Sequence, residues 1–375
     1  MRIEAAVAHP GRDDFVIEPV DISDPNSDEI LIEIAGVGVC HTDILVRAGA
    51  AQIFKNPVVL GHEGAGTVVA VGSDVTKVAA GDKVAVTFRS CGTCGNCESG
   101  PASYCENFNA LNISGARTDG TRPLSGSDGD RDGNFFGQSS FATHCLTYER
   151  NVVKVPDSIP IELAGPLGCG VQTGAGAILN SLDVKPGSSV IIAGGGPVGQ
   201  SAVMAAKLRG CSTIILVEPK AERRQFALDH GATHVIDPTG DVAIDAEARM
   251  IVPSGLNYAL DTTGISVVLK SLVGSLKAKG ALGMVGLSAT DADMPVKVNQ
   301  FSGAGIRLIG IIEGDSDPDE FLPFLMEQHL AGKLPFDDMI TTYPFAEINL
   351  AIAEQHEGKC LKAVLIPGNR GAASQ

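Results

Sequence analysis

At 375 residues the chain is about twice the length of a typical single domain, and with 44% apolar residues it can bury more than one core. Its 28 basic and 44 acidic side chains leave a net charge of -16, which disfavours nucleic acid and anionic membranes as partners and favours small molecules. No apolar run is long enough to span a bilayer, and the stretch from Met1 to Val7 reads as a strand and not as an export signal, so a cytoplasmic protein with reduced cysteines is expected.

In chain order, the first 90 residues alternate apolar and polar in short runs, such as Ile30 to Ile34 and Gly66 to Gly72, broken by glycine and proline. That texture predicts an antiparallel β domain. Two residues with metal-binding chemistry lie in it: Cys40, in Gly38-Val-Cys-His-Thr-Asp43, and His62, in Gly61-His-Glu-Gly-Ala-Gly66.

Next comes Cys91-x2-Cys94-x2-Cys97-x7-Cys105, four of the nine cysteines within fifteen residues. Four thiolates close a tetrahedral shell around zinc and leave no open position, so this predicts a structural metal site. Residues 115 to 134 hold little to bury and many turn formers, and they predict a long surface loop. Cys169 follows in Pro166-Leu-Gly-Cys-Gly170. Two thiolates and an imidazole would leave zinc one position for water or substrate, as a Lewis-acid site needs, but composition alone does not unite Cys40, His62 and Cys169.

From about residue 170, uninterrupted apolar strands such as Val190 to Ala193 and Ile214 to Val217 alternate with helices, which predicts a parallel sheet covered on both faces. Between them stands Gly194-Gly195-Gly196-Pro197-Val198-Gly199, a G-x-G-x-x-G turn with a strand before it and a helix from Gln200 to Arg209 after it. Such a turn brings backbone close to a pyrophosphate and presents unpaired helix N–H groups to it. Glu218, 19 residues beyond Gly199, ends the next strand, where an acid accepts from ribose hydroxyls and repels a 2′-phosphate. NAD is therefore expected over NADP, although Arg223 and Arg224 could welcome that phosphate. Strand-like runs continue at Tyr258 to Asp261 and Gly283 to Gly286, and the tail ends in Lys362 to Ile366. The predicted division is 1–165 with 306–375 for the β-rich domain, carrying the cysteine lobe at 91–105, and 166–305 for the cofactor domain.

Gly61-His62-Glu63-x2-Gly66-x5-Gly72-x2-Val75 matches the signature of the zinc-containing medium-chain alcohol dehydrogenases at every fixed position. With the cysteine lobe, Cys169 and the glycine turn in the family's order, the chain resembles that family over essentially its whole length. The resemblance implies a GroES-like catalytic domain and a Rossmann cofactor domain, with two zinc ions and NAD. It assigns the catalytic zinc to Cys40, His62 and Cys169, with Glu63 as a nearby carboxylate able to ligate transiently; alcohol dehydrogenase is itself the standard example of this ligand set. It makes Asp43 the acceptor from the other nitrogen of His62 and Thr42 the hydroxyl that takes the alcohol proton. Lys362 sits where the family commonly contacts the pyrophosphate, and Thr87 and Phe88 where residues line the substrate pocket.

One departure is Leu45, where many relatives carry a histidine that completes a proton relay; His41 is then the nearest titratable candidate. The segments 134–143 and 313–318 resemble the aryl (benzyl) alcohol dehydrogenase branch. The expected activity is oxidation of an aryl or allylic primary alcohol to the aldehyde by a homodimer or homotetramer. The competing readings are a glutathione-dependent formaldehyde dehydrogenase, a general aliphatic alcohol dehydrogenase, a polyol dehydrogenase and a non-catalytic relative.

Overall fold

A computed structural model describes residues 1–288, 292–294 and 297–368, so the last residues of the predicted 306–375 segment lie outside the described residues. The chain divides into two compact units, Met1–Cys169 with Asp317–Leu330 and Asp337–Gln375, and Gly170–Ser316 with Ala331–Phe336. Among the described residues no helix is long and apolar enough to cross a membrane.

The first unit is built on the strand Glu29–Gly38, whose side chains are buried on both faces except at Glu33. Its run of β-branched and leucine residues suits a central position, where both faces of a strand need apolar cover. Antiparallel partners flank it: Gly64–Val71 pairs Val37 with Gly64, and Lys362–Ile366 pairs Gly38 with Val364. Because both partners run opposite to the central strand, their starting residues meet its end. His62 and Glu63, just before one partner, and Lys362, at the start of the other, are thereby delivered beside Cys40. Backbone bonds seal this corner, from Gly38 N–H to the Glu63 carbonyl at 3.0 Å and from Val39 N–H to the Ala363 carbonyl at 2.9 Å.

The 115–134 segment departs from the loop predicted for it. Leu124–Gly126 and Gly129–Arg131 form a hairpin whose first strand extends the sheet of Phe15–Ile22. What holds it down is charge pairing: Arg117 lies against Glu29, Arg122 against Asp132, and Arg131 against Glu18 and Asp128. Glu29, Arg131 and Asp132 are all buried. A search for apolar periodicity overlooks a segment anchored by paired charges, since each of these side chains looks solvent-seeking by itself.

In the second unit six parallel strands stand in the order His234–Ile236, Thr213–Val217, Ser189–Ala193, Leu256–Asp261, Leu276–Met284 and Arg307–Gly310. This reversal on either side of Ser189–Ala193 is the doubly wound arrangement, in which dinucleotides lie across the carboxyl ends of the strands at the switch point. Ser189–Ala193 is buried at every position, and each Val or Ile there stabilises the fold by about 1.5–3 kcal/mol relative to exposure. The helix Pro197–Leu208 follows at once, with Pro197 in its first turn and no basic residue before Lys207 in its last. Gly199 is required by close packing: a Cβ there would lie 1.8 Å from the Gly194 carbonyl oxygen.

Candidate active site

Cys40 ends the central strand's extension and begins the helix His41–Ala48, where Asp43 closes the first turn by accepting the Cys40 N–H at 3.1 Å. The other oxygen of Asp43 accepts from Gly61 N–H at 3.1 Å and lies 2.9 Å from His62 Nδ1. Asp43 is fully buried and His62 nearly so. An acceptor-only carboxylate there requires the proton on Nδ1, which leaves Nε2 as the nitrogen with a lone pair. That Nε2 is buried and has no hydrogen-bond partner. Cys40, His62, Glu63 and Cys169 each offer one ligand atom, and these atoms lie within 4.8 Å of one another.

The electrostatics suit a cation. A hydrogen bond with Cys169 holds the Cys40 thiol well below its ordinary range, against the opposing effect of burial and with help from His62. Burial works against an imidazolium at His62, but Asp43 and Cys40 outweigh it and raise that group well above its usual value. Burial pushes Glu63 up to about 7, while the Lys362 ammonium beside it pulls the other way. Two thiols, one orphaned imidazole nitrogen and an adjacent carboxylate are a donor set that fits zinc.

The second constellation is local. Cys91, Cys94, Cys97 and Cys105 bring their sulfurs within 4.8 Å of one another, with Cys91–Cys97 and Cys94–Cys105 each at 4.0 Å. All nine cysteines are free thiols, and sulfurs at these separations are far beyond a disulfide bond of about 2.05 Å. This set fits a closed zinc site.

At the glycine turn, Glu218 is buried, accepting the N–H of Gly195 at 2.6 Å and that of Lys220 at 2.9 Å. Its carboxylate thus stands beside Gly194, Gly195 and Gly196, at the head of the helix that Pro197, Val198 and Gly199 begin. Arg223 accepts from Gln200 Nε2 through its carbonyl, and the Arg224 guanidinium donates to the carbonyls of Glu218 and Pro219.

Residues 26–157 match the family described as the alcohol dehydrogenase GroES-like domain, and residues 197–327 match the one described as zinc-binding dehydrogenase. A geraniol dehydrogenase from Castellaniella defragrans is 46% identical over 364 residues, 97% of each chain. The chain belongs to the zinc-containing alcohol dehydrogenase family. The crystal structure of a benzyl alcohol dehydrogenase from Acinetobacter calcoaceticus is 40% identical with a TM-score of 0.93, covering 98% of this chain and all (100%) of that one. An S-(hydroxymethyl)glutathione dehydrogenase from Saccharomyces cerevisiae is more distant, 32% identical over 96% of this chain and 95% of its own.

In this alcohol dehydrogenase one sequence expectation needs correction. Lys362, assigned to the pyrophosphate, is 1% exposed, pairs with Glu63 and donates to the Val39 carbonyl at 2.9 Å. A buried ammonium spends its charge on a buried carboxylate, because either alone would carry a large desolvation cost. Thr87 and Phe88, expected to line the pocket, are buried, and the Thr87 hydroxyl donates to the Gly168 carbonyl at 2.7 Å, next to Cys169. Thr42 lies 3.8 Å from Cys40 Sγ through its hydroxyl, whereas His41 is exposed.

Sequence reasoning missed the clamp on His62. Phe136 stacks on its imidazole at 4.5 Å and Phe135 meets it edge-on at 5.7 Å. Gln138 donates to the His62 carbonyl at 2.9 Å and accepts the Gly64 N–H at 3.0 Å. Asn134, Phe136 and Ser139 carry φ of 57°, 51° and 53°, so the segment holds backbone strain of about 1–3 kcal/mol per residue beside the site. No local signal marks a glutamine 76 residues from the histidine it braces.

Proposed function

We propose that this enzyme oxidises an allylic or aryl primary alcohol to its aldehyde, using NAD and holding one catalytic and one structural zinc per chain. The observation that carries the reading is the buried His62 Nε2, without a hydrogen-bond partner, grouped with the Cys40 and Cys169 sulfurs and fixed in tautomer by Asp43. The substrate class is supported by the similarity to a geraniol dehydrogenase and to a benzyl alcohol dehydrogenase, both nearer than the glutathione-dependent relative.

Cys40 and Cys169 would bind the metal as thiolates and His62 through Nε2, with Glu63 within reach but restrained by Lys362. When bound, zinc supplies Lewis acidity to the alcohol oxygen and the dinucleotide supplies the hydride acceptor. Asp43 holds a proton on Nδ1 and fixes the ring's orientation, so that Nε2 is the nitrogen turned toward the metal position. The Thr42 hydroxyl relays the alcohol proton outward, and His41 at the surface exchanges it with water. The N-terminus of Pro197–Leu208 would receive the pyrophosphate, and Glu218 would accept from the ribose hydroxyls and repel a 2′-phosphate.

The test is NADH formation by metal-replete protein from benzyl, cinnamyl, terpenoid allylic and short aliphatic alcohols, with and without glutathione, and with NADP in parallel. Aryl and allylic alcohols should give the highest kcat/KM with NAD. Activity only on formaldehyde with glutathione would move the enzyme to the other branch, and failure on every alcohol would overturn the reading.

A further inference from the structure

The loop after the last parallel strand carries a buried carboxylate that the mechanism above does not use. Glu313 is 7% exposed, and Oε2 accepts from Gln172 Nε2 at 3.1 Å and from Thr173 Oγ1 at 3.2 Å. The Ser316 hydroxyl lies 2.7 Å from the Glu313 carbonyl and 3.0 Å from Gln172 Oε1, which ties the loop to the same glutamine. Glu313, Gly314 and Asp315 all have positive φ, at 52°, 65° and 49°. Two of these three are not glycine, and such strain persists only where the surroundings impose it, often at ligand sites.

The place of this loop follows from sheet register. Val217, Ala193, Asp261, Met284 and Gly310 are aligned across the parallel strands in one row. Glu218 leaves that row one strand to one side of Ala193, and Glu313 leaves it on the other side, both at the carboxyl edge. In a doubly wound sheet the two nucleotides of a dinucleotide lie on opposite sides of this switch point. With the adenosine ribose at Glu218, the nicotinamide belongs on the side of Glu313. Gln172 and Thr173 draw the loop back toward the glycine turn, because the next residue of their helix, Gly174, packs so tightly that a Cβ would lie 2.0 Å from the Val198 carbonyl oxygen.

We infer that Glu313 is a cofactor-binding residue whose carboxylate, carried as the anion, favours the cationic ring of NAD+ over the neutral ring of NADH. This rests on the NAD reading above. A fixed charge that distinguishes two forms of one ligand changes their affinities unequally, and in a desolvated setting the difference is large. The carboxylate therefore adds to the affinity for the oxidised cofactor an attraction that the reduced cofactor lacks. A purely structural role for Glu313 would weaken both forms alike.

The experiment measures dissociation constants of NAD+ and NADH for the metal-replete enzyme and for Glu313→Gln, by NADH fluorescence and competition. The variant should raise the ratio of the NAD+ constant to the NADH constant by about tenfold, and Glu313→Asp should restore part of the difference. A ratio unchanged from wild type would overturn the inference. A second measurement needs no variant: the wild-type enzyme should bind NAD+ about tenfold more tightly than the uncharged isostere benzamide adenine dinucleotide, and equal affinity would overturn it. If the wild type binds neither NAD+ nor NADH, the NAD reading itself fails, which is a different result from binding both with an unchanged ratio.

Discussion

The two cysteine-containing constellations are made from similar donors by opposite means. The lobe at Cys91, Cys94, Cys97 and Cys105 is assembled by a short stretch of chain, and three of its four thiols are only partly buried. The group of Cys40, His62, Glu63 and Cys169 is assembled from segments distant in sequence, by strand pairing and the turn before Cys169, is buried apart from Cys40, and is braced by Asp43, Gln138, Phe136 and Lys362. Four thiolates saturate a tetrahedral ion, whereas two thiolates and an imidazole leave a position for substrate. A local knot suffices to hold a closed site. An open one needs a rigid surround that positions each ligand and keeps the vacant position from collapsing.

That contrast breaks first at the ligands of the buried group. Cys169→Ser or His62→Ala should lower turnover by at least about a thousandfold and reduce bound zinc to the lobe's single ion, by metal analysis and steady-state kinetics. Retention of turnover within tenfold would contradict the assignment. In the lobe, Cys97→Ser should destabilise the protein by about 3 kcal/mol or more, seen in thermal and urea unfolding. Turnover per folded molecule should stay within about threefold, because the lobe holds no open coordination position.

A finer test is Asp43→Asn. Its amide cannot accept from Cys40, Gly61 and His62 together, so affinity of the buried site for zinc or turnover should fall by about 10–100-fold. Competition with a chelator would separate this from loss at the lobe, whose release should not change. The smallest effect concerns charge pairing that needs no metal. Burial opposes ionisation of Asp132, yet Arg122, Asn56 and the backbone N–H groups of Asn56 and Lys55 outweigh it and hold the carboxyl below its usual value. Stability from a depressed carboxyl is fully present above its ordinary unfolded value and is lost as pH falls through the folded one. Asp132→Asn should therefore cost about 1–3 kcal/mol at pH 7, and the gap from wild type should narrow as urea unfolding is repeated towards and below pH 4. A gap that widens on acidification would contradict the sign.

Legibility in the sequence follows the same division. The parallel sheet, the glycine turn and Glu218 are written locally, in continuous apolar runs and in one spacing, and so is the cysteine lobe. Cys40, His62 and Cys169 carry no mutual signal, since strand pairing gathers the first two and a separate turn, tied to Thr87 through Gly168, brings in the third, and only the family signature united them. Lys362 was assigned to the pyrophosphate from its place in the family pattern, while the strand it begins turns it toward Glu63. The 115–134 segment was misread because paired charges, unlike apolar residues, leave no periodicity. Glu313 was visible only as part of a branch-specific stretch, and its burial could not be read from its residue type.

The most direct measurement is anomalous scattering at the zinc edge from crystals of the metal-replete enzyme. Two peaks per chain are expected, one inside the cysteine lobe and one about 2.3 Å from the sulfurs of Cys40 and Cys169 and about 2.0–2.1 Å from His62 Nε2. A single peak, confined to the lobe, would contradict the account.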